Sequence, residues 1–339
     1  MPSPKHQFIH RIIPHRTPKQ VGQGDANVNI ALAKYWGKRD IELNLPTNSS
    51  LSISLPGLGT KTTLQWIESS QDTVTLNNQP CTPQQPFATR ISQFLDPFRP
   101  NPQGGFDIKT HNSVPTAAGL ASSASGYAAL VLALNDCFQW QLDPKSLSLL
   151  ARLGSGSASR SIDTGFVMWH QGRQPDGMDS FAEKIDQAWP NLNIGLLEID
   201  LSEKPIGSTQ GMQQTVNHCD LYQAWPEKAE TDFKTLQTAI SQQDFTLLGT
   251  TAENNALSMH ATMLATWPPI CYFQPDSIQA MQQVWQLRAQ GTEVYFTMDA
   301  GPNLKLLFLE KDQQQLQSSF PHLKIIQPFN EDYKKPTSQ

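Results

Sequence analysis

Apolar and polar residues alternate sharply in several parts of the chain. In SLSISLPG the residues Leu51, Ile53 and Leu55 share one side of an extended segment, which predicts a half-buried strand. TTLQWIE alternates at Leu64 and Trp66, and DTVTLNN at Val74 and Leu76; with SSQ between them the pair predicts a hairpin. GGFDIKTHN is strand-like as well. The period then changes. Leu120, Ala124, Tyr127, Val131, Leu134 and Phe138 recur at steps of four and three, one apolar stripe along a helix spanning 120–138.

A composition shift near 185–194 opens a second group of elements. The strand GLLEIDL comes first, then helices over 227–243, 246–264 and 276–290, the last with Ile278, Met281, Val284 and Leu287 on one side. EVYFTM and LKLLFLE are strands around the turn DAGPN, and LKIIQP closes the set. Neither half shows a regular strand–helix–strand alternation, so the fold class is α+β. At 339 residues the chain has room for two cores of ordinary size. The reading divides it into an arm (1–24), a first domain (25–190) and a second (191–330).

Charge narrows the partners. Charged residues make up 16% of the chain and the net charge is −5, which argues against nucleic acid held by bulk charge. An anion site must therefore be local. Cys81, Cys137, Cys219 and Cys271 are scattered and form no C-x-x-C pair, the pattern of reduced thiols in a cytoplasmic protein. No apolar run approaches the roughly 18–20 residues of a membrane helix. The first 24 residues hold four Lys/Arg, three His and no acid, with apolar pieces too short for a signal peptide. Two readings of this arm stay open: a tail ordered against the body, or an arm that serves partner or anion binding.

Residues 113–126, SVPTAAGLASSASG, join a strand to a helix with glycine and serine and no charge. Backbone N–H groups at such a helix start suit a phosphate; small residues there also permit tight helix-on-sheet packing. The stretch lacks the G-K-[ST] ending of the common nucleotide loop and the dinucleotide G-x-G-x-x-G pattern. Elsewhere, Lys34 and Lys38 flank an aromatic pair, Arg160 sits in the run GSGSASRS, and Asp299 follows an apolar strand. A planar guanidinium can grip a carboxylate with two parallel hydrogen bonds. An aspartate before Gly-Pro is either a turn opener or a carboxylate facing a cleft.

PTAAGLASSASG resembles the phosphate loop of the GHMP kinases, P-x-x-x-G-L-x-S-S-A, and the likeness to one branch, the mevalonate diphosphate decarboxylase family, runs from about residue 25 to 310. The resemblance implies that Pro115, Thr116, Ala117, Ala118, Gly119, Leu120, Ala121, Ser122 and Ser123 hold the phosphates of ATP, with Ser122 and Ser123 near Mg²⁺. KYWGKRD followed by LPTNSSLS resembles the block that contacts the substrate diphosphate, here Tyr35, Trp36, Gly37 and Lys38, with Asn29 and Lys34 lining the site. SGSASRS resembles the segment whose arginine holds the substrate carboxylate. That implies Arg160, with Ser155, Gly156, Ser157, Ala158 and Ser159 lining the pocket. GSTQGM, otherwise a polar turn, implies phosphate contacts at Ser208 and Thr209. MDAGPN implies a catalytic Asp299, with Met298 where phenylalanine is common. ENNALSMHATMLATWPPICYF matches a family helix in which His260 is structural. Arg90 is the nearest candidate for the family's substrate arginine in this region.

The implied enzyme has the two-domain GHMP kinase fold, its second domain ferredoxin-like and its active site in the cleft between the domains. It converts mevalonate 5-diphosphate and ATP to isopentenyl diphosphate with Mg²⁺, as a cytoplasmic homodimer. The alternatives on the same scaffold are a mevalonate 3-kinase, a phosphomevalonate decarboxylase and a non-catalytic ligand sensor.

Overall fold

The computed structural model describes residues 3–14, 17, 18, 21–113, 122–202, 204 and 206–329. Helix α1 (Pro4–Ile12) precedes β1 (Gly22–Ala33), a short hairpin of β2 (Lys38–Asp40) and β3 (Leu45–Pro46), and the long strand β4 (Ser50–Ile67). Then come β5 (Thr73–Leu76), β6 (Gln79–Cys81), α2 (Pro86–Leu95) and β7 (Gly105–Asn112). Helices α3 (Ser122–Phe138) and α4 (Pro144–Gly154) lead to β8 (Phe166–Trp169) and β9 (Ala182–Lys184).

SLSISLPG and TTLQWIE turn out to be one strand, β4, which continues through Pro56 and Gly57. β1 pairs with one edge of β4, and the register slips where Asn27 faces Gly59 but Val28 faces Leu55. That bulge accommodates the proline, which has no N–H for the ladder. The other edge of β4 carries β7 and then β8.

The expected hairpin does not form. The sheet order β6-β5-β7-β4-β8-β9 inserts β7 between β4 and β5, and β5 runs parallel to β7. Eight residues of β7 pair with β4, whereas β5 has only four residues to offer. The longer partner also buries Phe106 and Ile108.

Helix α3 packs across this sheet with Ala124, Val131, Leu134 and Phe138 buried as the stripe predicts. Ala128, Ala129, Leu130, Ala133 and Cys137 are buried too, so the helix is covered on nearly all sides. Its close approach to β1 depends on Gly24, where a Cβ would stand 2.0 Å from the Ala129 carbonyl oxygen.

The second half runs β10 (Leu192–Leu197), α5 (Ser208–His218), α6 (Trp225–Gln242), α7 (Phe245–Leu264) and α8 (Pro275–Ala289), then β11 (Val294–Met298), β12 (Leu304–Leu309), α9 (Gln313–Ser319) and β13 (Lys324–Ile326). Helices α6, α7 and α8 lie within two residues of the expected spans. GSTQGM is the start of a helix and not a polar turn. The four strands pair antiparallel in the order β11-β12-β10-β13, the ferredoxin-like arrangement. Among the described residues no helix is long and apolar enough to cross a membrane.

One apolar cluster joins the halves. Val28, Ile30 and Leu32 of β1 and Leu51 and Ile53 of β4 meet Phe233, Leu236 and Ile240 of α6 and Leu248 of α7. Residues 28–33 are consequently buried on both faces of β1, and the strand ends inside the cleft.

Candidate active site

Lys34 is the first residue past β1. Its N–H donates to Asn255 Oδ1 on α7 at 2.8 Å, and its carbonyl accepts from Asn48 Nδ2 at 2.8 Å. With the backbone held by both domains, the buried ammonium donates to the Ala31 carbonyl (2.8 Å) and to Asp299 Oδ1 (2.9 Å). Asp299 follows β11, and its Oδ2 lies 3.3 Å from the ammonium of Lys305 on β12. The Asp299 carbonyl accepts from His260 Nε2 on α7 at 3.1 Å.

These contacts set the charges. Burial pushes the Asp299 carboxyl up, but Lys34 and Lys305 together outweigh it and hold the group well below the usual carboxylate range. Burial draws Lys34 down to about 8, against the pull of Asp299. His260 is brought down to about 4, first by burial and then by Lys34. It is therefore neutral near pH 7, and a carbonyl partner requires the proton on Nε2.

Arg160 lies in the turn after α4, buried under the sheet. Its guanidinium donates to Ser50 Oγ and, at 3.4 Å, to Asn29 Oδ1, and it lies 5.9 Å from the Trp169 ring. Asn29 is fixed by donating to Ser161 Oγ at 2.7 Å. Among the described residues no carboxylate stands at ion-pair distance from Arg160, and its Nε has no partner. Burial lowers its pKa to about 10, so it stays charged.

A cavity of about 570 Å³ gathers these groups. Of the expected residues, Asn29, Lys34, Tyr35, Trp36, Lys38, Ser123, Ser155, Gly156, Ser157, Arg160, Ser208, Thr209 and Asp299 line it. Gly37, Ala158 and Ser159 stand behind the wall. Gly37 has φ +122°, and a Cβ there would lie 1.7 Å from the Tyr222 hydroxyl oxygen, so it serves the turn that presents Lys38. Residues 115–121 lie outside the described residues, though the first turn of α3 reaches the cavity at Ser123. Helix α5 opens at Gly207 with no side-chain cap among the described residues, so its N-terminal turn presents N–H groups suited to an anion.

Several lining residues carry no local signature. Lys204 donates to the Ala300 carbonyl at 2.6 Å and to Ser208 Oγ at 3.3 Å. Asn44 accepts from Lys38 Nζ at 2.7 Å, and Arg90 also lines the cavity. Lys305, buried beside Asp299 and not itself on the cavity wall, has a signal: a lysine within the otherwise apolar strand LKLLFL. Asp299 is the one acid lining the cavity among the described residues, and both its oxygens face lysines. No group of three His, Cys, Asp or Glu is close enough to cage a metal among those residues. This donor set fits a magnesium ion carried in on phosphate oxygens and water.

Two α+β domains that bring their charged residues together in one cleft make this an enzyme of the GHMP kinase fold. Residues 26–182 match the diphosphomevalonate decarboxylase-like N-terminal domain, and residues 197–338 match the mevalonate 5-diphosphate decarboxylase C-terminal domain. The chain belongs to the diphosphomevalonate decarboxylase family. It is 38% identical to the Aspergillus fumigatus diphosphomevalonate decarboxylase over 92% of this chain and 82% of that one. The Saccharomyces cerevisiae enzyme is 37% identical over 86% and 78%. A complex of MDDEF with MVAPP, AMPPCP and magnesium superposes with a TM-score of 0.84 at 42% identity, covering 90% of this chain and 95% of that one. The Staphylococcus aureus mevalonate diphosphate decarboxylase gives 0.84 at 37% identity, over 91% and 96%.

Proposed function

We propose that the chain catalyses the ATP-dependent decarboxylation of mevalonate 5-diphosphate to isopentenyl diphosphate, releasing ADP, phosphate and carbon dioxide. The observation that carries this reading is one cavity lined by both an ionised Asp299 and a buried Arg160 that has no acid partner among the described residues. The first suits a hydroxyl and the second a substrate carboxylate.

Lys38, Lys204, Arg90 and the N-terminal turns of α3 and α5 surround the phosphates. The smaller annex of about 120 Å³, lined by Phe87, Ile91, Ile108 and Leu130 and sharing Arg90, Ser123 and Tyr127 with the main cavity, suits the nucleotide base. Bound magnesium neutralises phosphate charge. Asp299 accepts a hydrogen bond from the 3-hydroxyl and aims its oxygen at the γ-phosphorus. Held between two lysines it is a weak base, so it orients first and receives the proton late. Phosphoryl transfer depends mainly on such positioning.

Phosphate then leaves the tertiary carbon, positive charge grows there, and the carboxylate departs as carbon dioxide. Arg160 keeps the breaking C–C bond aligned; a tighter grip would oppose the loss of carboxylate charge. Trp36, Met212 and Met259 on the cavity wall exclude water from the cationic centre.

The test measures ADP and carbon dioxide together with ATP, Mg²⁺ and mevalonate 5-diphosphate, with Asp299→Asn beside the parent. Equal release, lost in the variant, supports the reading. ADP alone means a 3-kinase, and turnover of the monophosphate only means a phosphomevalonate decarboxylase. The names of the relatives favour the diphosphate enzyme, and retention of Asp299 and Arg160 disfavours a sensor. We further propose a homodimer in the cytoplasm, the latter supported by cysteines that form no disulfide among the described residues, with the domains divided near residue 190.

A further inference from the structure

Helix α1 lies before the family match, which begins at residue 26, and the reaction above makes no use of it. It is firmly seated. Phe8, Ile9 and Ile13 share a buried cluster with Leu147, Leu150 and Leu153 of α4. This docking brings Lys5 Nζ to 3.4 Å from the Leu153 carbonyl, which also accepts from Asn44 Nδ2 at 3.2 Å. Asn44 donates as well to the Arg152 carbonyl (2.9 Å), and its Oδ1 accepts from Lys38 Nζ (2.7 Å).

Lys5 and Lys38 therefore stand at opposite ends of one amide network. Burial lowers the pKa of Lys38, and Lys5 lowers it further. Among the described residues neither lysine has a carboxylate at ion-pair distance, although Glu42 on the β2–β3 turn favours the charge of Lys5. Two ammonium groups held this close repel one another, and the buried apolar face of α1 sustains the arrangement. Lys38 and Asn44 line the cavity; Lys5 stands one layer behind them.

We propose that α1 is part of the substrate's anion site: Lys5, coupled to Lys38 through Asn44, adds positive potential where the diphosphate of the substrate binds. The proposal rests on the reading that the Lys38 end of the cavity takes that diphosphate. Lys5 acts through the field and through Asn44, as a positioning residue.

Lys5→Met tests it, with Lys5→Arg as the conservative variant and thermal melts to confirm the fold. Calorimetry measures binding of mevalonate 5-diphosphate and of inorganic diphosphate at low and high salt. Lys5→Met should weaken both about three- to tenfold at low salt, with the gap closing at high salt. KM should rise in step, kcat should stay within twofold of the parent, and Lys5→Arg should restore binding. Unchanged binding, or a loss of kcat alone, overturns the role of Lys5 while leaving the decarboxylase reading intact. A parent protein that neither binds the substrate nor releases carbon dioxide overturns both.

Discussion

Lys34 Nζ donates to Asp299 Oδ1 at 2.9 Å across 265 residues of chain. The contact ties the end of β1 in the first domain to the end of β11 in the second. The pair is largely withdrawn from water, with side-chain exposures of 2% and 26%. Removing Lys34 leaves Asp299 with Lys305 alone at 3.3 Å, and removing Asp299 leaves the two buried lysines without their shared carboxylate. Lys34→Met should destabilise the fold by about 3 kcal/mol, and Lys34→Met/Asp299→Asn by less than the sum of the single changes. Urea unfolding of the four proteins measures this coupling.

The same contact shapes the pH profile. Lys34 loses its proton as pH rises through about 8, well before an exposed lysine would. Asp299 is held so low that it stays ionised throughout mild acid. The value of kcat/KM should therefore fall above about pH 8 and show no limb from Asp299 at pH 5. Lys34→Arg should move the alkaline limb upward, and initial rates across buffers of constant ionic strength would reveal it.

His260 should make the fold acid-sensitive. The unfolded chain takes up its proton near 6.5, whereas the folded chain resists until about 4. In that window the unfolded state binds more protons, so stability falls as pH drops from 6.5 to 4. The full loss from this group is about 3 kcal/mol. His260→Gln should flatten the decline between pH 6.5 and 4.5, as chemical denaturation at several pH values would measure.

Gly37 carries a steric and a backbone constraint together. Gly37→Ala should lower stability by about 1–3 kcal/mol, because φ is +122° and the Tyr222 hydroxyl fills the space. Adding Tyr222→Phe should not restore the parent melting temperature, because Thr47 Oγ1 still stands 2.6 Å from that Cβ and the hydroxyl's hydrogen bond to the Trp36 carbonyl is lost.

Much of the fold was legible where neighbouring residues decide the outcome. Helices α6, α7 and α8 follow from apolar spacing alone. Helices α1 and α4 escaped the periodic reading although both announce their starts. Ser3 caps ahead of Pro4, and Asp143, which accepts from the Ser146 N–H at 2.7 Å, caps ahead of Pro144. The β4–β5 hairpin was misread because a short connection says nothing about the better partner arriving later, β7.

The candidate site divides along the same line. The motif blocks that hold Lys34, Lys38, Arg160 and Asp299 are legible in local order, since glycine, serine and charge must follow one another there to form turns and helix ends. Packing of the folded chain is what seats Asp299 between Lys34 and Lys305, holds the backbone of Lys34 to Asn255 of α7, and brings Lys5 of α1 to the amide network of Lys38. Those pairings join segments far apart in the chain. They exist because burying β1 against α6 and α7 closes the cleft, and electrostatic contacts formed on closure leave no pattern among sequence neighbours.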